Sequence, residues 1–121
     1  MKATGNLIVD MTYEFSLNIL EYTDQLEHAK KFAVANQLTK SGTSIGANVS
    51  ESQGSESRND FIHKLKIAEK EMFETEYWLW LCKDSKVLPD PGKLPQDIES
   101  IKKVLRKIIG TCYGKGYGIR R

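Results

Sequence analysis

Phe61, Leu65, Ala68, Met72, Thr75, Leu79 and Cys82 follow one another at alternating steps of four and three. Residues spaced in this way share one side of an α-helix and no side of a strand. Ser57 stands where an N-cap belongs, with Asp60 three residues on in the manner of a capping box. The spacing predicts a helix over 58–84. Its apolar seam must be covered by other helices, because no stretch of the 121 residues sustains a strand pattern and no internal repeat is present.

Two further stripes supply partners. Met11, Phe15, Ile19, Tyr22, Leu26, Ala29 and Ala33 step by four and three behind Asp10, a candidate N-cap, and predict a helix over about 10–36. Pro95 suits a first helical turn, and Ile98, Ile101, Leu105, Ile108 and Cys112 predict a helix over about 95–112. Between them, "VLPDPGKLP" holds Pro89, Pro91 and Gly92 and reads as a connection. The tail "GKGYGIRR" alternates Gly with larger residues, and 113–121 reads as a flexible basic tail.

The segment "KSGTSIGANVSES", residues 40–52, has the composition of a loop, yet Leu38, Ile45 and Val49 recur through it at helical spacing. It lacks the preceding strand and the Gly-Lys-Ser/Thr ending of a Walker loop, and the spacing of a dinucleotide fingerprint. We read it as a short helix over about 40–54 in which Gly42, Gly46 and Ser50 form a strip poor in side chains. Such a strip lets a neighbouring backbone approach closely, and Gly54 is a candidate terminus. Four amphipathic helices with short links make a single all-α domain over 1–121, an antiparallel up-and-down four-helix bundle.

On the helix over 58–84, Phe73, Tyr77 and Trp80 form a second stripe outside the seam, with Trp78 beside it. A helix apolar on so much of its circumference calls for cover on more than one side, and self-association supplies it. The alternative is that the other three helices wrap it completely. Leu7, Ile8 and Val9 are too short a run for a signal-peptide core, and no apolar run approaches the roughly 20 residues that span a bilayer, so the expected location is the cytoplasm. Cys82 and Cys112 fall on apolar seams as buried free thiols, although two helices could bring them together.

Catalytic signatures are missing. Asp60-Phe-Ile-His63 and Gln25-Leu-Glu-His28 only approach the Glu-x-x-His pairs of di-metal bundles. Glu69, Glu71, Glu74 and Glu76 mostly avoid the seam and read as a solvated face. No G-x-S-x-G elbow occurs. We expect neither an enzyme, nor a metal, nor a cofactor. The net charge of +2 conceals an asymmetry, because after Glu99 come Lys102, Lys103, Arg106, Lys107, Lys115, Arg120 and Arg121 with no acidic residue among them. Cations stacked four apart, with Tyr113 and Tyr117 interleaved, suit a phosphate backbone and unstacked bases; cations near a helix C-terminus also simply favour its dipole.

"NLIVDMTYEFSLNIL" and "QLTKSGTSIGANVSESQGSESRNDFIHKLKIAEKEMFETEYWLWL" resemble the four-helix-bundle proteins associated with intervening sequences in bacterial 23S ribosomal RNA genes, over roughly residues 6–112. The resemblance implies a small cytoplasmic bundle assembled as a homopentameric ring, with no established catalytic activity. It implies structural roles for Ser44, Ile45, Gly46, Ala47 and Asn48 in the second helix and for Asp60 and His63 at the start of the third. Accessory proteins of diversity-generating retroelements are similar in fold and bind nucleic acid and a reverse transcriptase through a basic surface. The expected function is therefore weak RNA or DNA binding by a homo-oligomer, with a nucleic-acid enzyme as a further partner and no membrane. A protein-interaction scaffold is the second reading, and a metal-dependent bundle enzyme the third.

Overall fold

The structure is a computed structural model that describes residues 1–113. The expected tail past Tyr113, with Lys115, Tyr117, Arg120 and Arg121, lies outside the described residues. Four helices, α1 (Leu7–His28), α2 (Phe32–Ser52), α3 (Arg58–Asp84) and α4 (Leu94–Tyr113), follow in order. No strand occurs among the described residues. Helix α1 packs on α2 and α4, and α3 packs on the same two, so α1 and α3 stand diagonally across the bundle. At one end the Asn6 amide donates to Gln53 Oε1 at 3.1 Å and Arg58 donates to the Cys112 carbonyl at 2.7 Å. At the other, the Tyr22 hydroxyl donates to the Pro89 carbonyl at 2.6 Å, fastening the α3–α4 connection to α1.

The first two helices divide differently from the expectation. Helix α1 ends at His28 rather than near 36, and α2 begins at Phe32 rather than near 40. Backbone hydrogen bonds from Lys31 to Leu26 and from Lys30 to Glu27, both 2.8 Å, make the six-to-one and five-to-two pair of a Schellman motif. Lys30 occupies its left-handed position with φ 63, a place normally filled by Gly. Ala29 and Ala33, the expected end of the first stripe, are therefore exposed beside the break. Asp10 is not the cap. Asn6 is, accepting from the Val9 amide at 3.4 Å, while the Asp10 carboxylate accepts from the Thr4 amide and hydroxyl at 2.9 and 2.8 Å. Those bonds hold its carboxyl below the usual range. Ser57 caps α3, accepting from the Asp60 amide at 3.0 Å.

The core is one continuous cluster running through all four helices. Ile19, Leu26, Leu38, Ile45, Leu65, Met72, Leu79, Ile101, Leu105 and Ile109 are fully enclosed. On α4 the seam ends on Ile109, and Ile108 and Cys112 are only half-buried. Buried hydroxyls of Thr12, Thr23 and Thr75 donate to carbonyls three or four residues back, at Ile8, Leu20 and Glu71, so that helix carbonyls satisfy them without a partner from another element.

Gly42 and Gly46 lie in the middle of α2, against α1. A Cβ on Gly42 would stand 2.9 Å from Ile19 Cγ1, and one on Gly46 would stand 3.1 Å from the Thr12 carbonyl oxygen. Backbone meets backbone at Gly46, so nothing flexible can yield there. Ser50, expected to continue the strip, is exposed. At 3.6 residues per turn, positions four apart drift around the helix by about 40° per step, so the strip turns from buried Gly42 through half-buried Gly46 to exposed Ser50; α2 ends at Ser52, whose buried hydroxyl donates to the Val49 carbonyl at 2.6 Å, and Gly54 lies beyond that end.

Two stability measurements follow. Gly46→Leu should destabilise the fold by about 3 kcal/mol through overpacking, whereas Ala47→Leu at the exposed next position should be near neutral in denaturant unfolding. Lys30→Gly should stabilise it by about 1 kcal/mol, since Gly carries no Cβ penalty in the left-handed region.

Candidate assembly and nucleic-acid surfaces

Helix α3 meets α4 through a ladder of opposite charges. Glu69 and Glu76, read from sequence as part of a solvated face, are buried. They occupy positions flanking the Leu65–Ala68–Met72 seam on the side of α4, which brings them to its cations. Lys102 Nζ donates to Glu76 Oε2 at 2.6 Å and lies 3.0 Å from Glu99 Oε1. Arg106 Nε is 3.8 Å from Glu69 Oε2, and Lys66 Nζ donates to Glu69 Oε1 at 2.9 Å. The Arg106 guanidinium also lies over the Phe73 ring, 5.6 Å from its centre, within cation–π range. Burial pushes the Glu76 carboxyl up; the Lys102 ammonium opposes this and neighbouring Glu99 adds to it. The bond from Lys102 holds Glu99 low, and the bond to Glu76 raises Lys102.

The aromatic residues of α3 divide. Phe73, Tyr77 and Trp80 are 41 to 54% exposed although they stand in a row on one helix. Trp78 does not belong with them: it is half-buried against the core, donates from Nε1 to Glu74 Oε2 at 3.3 Å, and meets the Tyr77 ring edge-on at 6.0 Å. The four helices leave this row of three large apolar side chains open.

The family profile of the 23S rRNA-intervening sequence protein matches residues 5–107. The chain belongs to that family. It is also similar to the crystal structure of a protein of unknown function from the S23 ribosomal protein family of Bacteroides thetaiotaomicron VPI-5482. The two share 39% identity, with a TM-score of 0.79, over 84% of this chain and 97% of that one. A search of curated proteins finds no match.

In this 23S rRNA-intervening sequence family member the expected cations fall into two groups. Lys102 and Arg106 are bound to α3, whereas Lys103 and Lys107 are exposed. Spacing on one helix identifies a cationic row; it carries no information about carboxylates on another helix that neutralise half of it. Glu69, Glu76 and Glu99 are the residues that a reading of the basic segment alone misses, and their signal was their position beside the seam.

The residues weighed for metal and thiol chemistry are apart. His28 and His63 are exposed, with His28 Nδ1 2.8 Å from the Asp24 carbonyl. No three His, Cys, Asp or Glu side chains gather in a metal-binding group among the described residues. Cys82 is buried and Cys112 half-buried, both as free thiols. Burial raises the Cys82 thiol, partly offset by Tyr22. Between α1 and α4 lie two shallow hollows of about 220 and 310 Å³ that share Asn18 and Asp97. Met11, Phe15 and Ile101 contribute an apolar floor to the first, and Glu21, Asp90 and Lys93 ring the second. No helix among the described residues is long and apolar enough to cross a membrane.

Removing one member of the α3–α4 ladder should cost more than a surface charge. Lys102→Met leaves Glu76 buried without its cation and should destabilise the fold by about 3 kcal/mol, while Glu76→Leu combined with Lys102→Met should recover most of the loss. Denaturant unfolding of the two single variants and the pair measures this coupling directly.

Proposed function

We propose that this protein is a non-enzymatic, cytoplasmic bundle that assembles as a homopentameric ring and binds RNA or DNA weakly through cations repeated around it. The exposed row Phe73, Tyr77 and Trp80 carries the assembly part of the reading, since self-association covers it where the fold does not. Lys103 and Lys107, directed away from the seam and exposed, supply the cations for phosphate contact, together with Lys115, Arg120 and Arg121 from the C-terminal segment. A few contacts per copy are feeble alone, and a ring multiplies them. The resemblance to accessory proteins of diversity-generating retroelements supports nucleic acid, and a nucleic-acid enzyme such as a reverse transcriptase, as partners. The reading requires no metal or cofactor.

A protein-interaction scaffold is the second reading. It draws support from the internal engagement of Lys102 and Arg106, which halves the cationic row on α4.

Binding of a single-stranded RNA and a DNA duplex across a salt series separates the two. Nucleic-acid binding predicts a log–log slope that falls by about 0.7 on single strands, or 0.9 on duplex, for each contact removed by Lys103→Glu and Lys107→Glu. A flat plot for the intact chain supports the scaffold and contradicts nucleic-acid binding.

A further inference from the structure

The α3 row has a counterpart across the bundle. Tyr13, Leu17 and Leu20 on α1 also step by four and three and are 38 to 48% exposed. On α1, Ile19 and Ser16 meet α2 at Gly42 and Gly46, while Met11, Phe15 and Asn18 border α4. Tyr13, Leu17 and Leu20 lie next to Ser16 in the helical rotation, so this row opens on the outer side of the α1–α2 layer. The α3 row lies toward α4, where Phe73 carries the Arg106 guanidinium. With α1 and α3 on a diagonal, the two rows look out from opposite faces of one bundle.

The faces also differ in charge. Helix α1 holds five carboxylates, Asp10, Glu14, Glu21, Asp24 and Glu27, and no Lys or Arg. The side of the other row mixes both signs: α3 alternates lysines with glutamates, and on α4 Lys102 and Arg106 are paired with Glu76, Glu99 and Glu69, so that this face lacks the acidic excess of α1. Beside Tyr13 and Leu17 a hollow of about 270 Å³, walled by Asp10, Glu14 and the N-terminal Met1 and Lys2, is roomy enough for an aromatic side chain.

We propose that the two rows are the two halves of one heterologous interface: the acidic Tyr13–Leu17–Leu20 face of one copy receives the aromatic Phe73–Tyr77–Trp80 face of the next. An isologous contact of either row with itself would set like charges together on α1 and would leave the other row uncovered. Head-to-tail contact covers both rows in every copy. Opposite faces joined in this manner close into a ring when the rotation between copies divides a full turn, and otherwise extend as a filament. This pairing rests on the self-association reading above and specifies the surface that the α3 row meets.

Two variants test it. Leu17→Glu with Leu20→Glu spoils the α1 face, and Tyr77→Glu with Trp80→Glu spoils the α3 face; circular dichroism confirms that each keeps its helices, with Gln in place of Glu if either does not. In sedimentation velocity each variant alone should run at the monomer mass of 13.7 kDa. Mixed in equal amounts, they should form a one-to-one dimer and nothing larger, because the mixture contains one intact face of each kind. An α1 variant that still assembles as the unaltered chain does, or a mixture that stays monomeric, overturns the pairing while self-association stands. An unaltered chain that is itself monomeric overturns both.

Discussion

The close approach of α2 to α1 at Gly42 and Gly46 sets the rest of the structure. With a Cβ at Gly46 only 3.1 Å from the Thr12 carbonyl oxygen, the two backbones lie as near as packing permits. Ile19 then fills the space over Gly42, which fixes the rotation of α1 about its axis. That rotation puts Ile8, Thr12, Phe15 and Tyr22 into the core and turns Tyr13, Leu17 and Leu20 out. Two glycines within one helix each weaken its propensity by about 1 kcal/mol relative to Ala. Dense contact between α1 and α2 offsets that cost.

The opposite half of the bundle is joined by different means. Helices α3 and α4 meet through Glu76 with Lys102 and Glu69 with Arg106, beside an apolar seam. A charge pair of this kind is a modest source of net stability, because desolvation consumes most of the attraction. It is a source of register, since sliding α4 along α3 by one turn would leave one of the two buried carboxylates without its α4 cation. Register places Arg106 over Phe73, and so helps to hold the aromatic row in its exposed position. The glycine contact and the charge ladder thus each orient one of the two outward rows.

Much of this was legible in the sequence. The seam of α3 and its Ser57 cap appear where the spacing places them, as does the turn at Pro89 to Gly92, because local periodicity and proline geometry determine them. The break between α1 and α2 was not legible: the left-handed residue is Lys30, and the usual signal, a Gly, is absent. Four-and-three spacing then runs across the break by coincidence, through Ala29 and Ala33. The strip of small residues predicted close packing but not its extent, since positions four apart drift around the helix and Ser50 has turned out to the exposed side. Among the cations, spacing identified the row, whereas Glu69 and Glu76, which engage Arg106 and Lys102, sit on a different helix and become their neighbours only on folding. The α1 row of Tyr13, Leu17 and Leu20 shares its helix with the longer core stripe through Phe15, Ile19 and Leu26, and spacing alone does not say which of two apolar rows faces out.

On the proposed reading both outward rows are covered when copies of the chain meet. Native mass spectrometry of the intact chain at micromolar concentration measures this without labels or variants. The account predicts a closed assembly at five times the 13.7 kDa chain mass, stable to dilution through the micromolar range. A single species at 13.7 kDa throughout that range would contradict it.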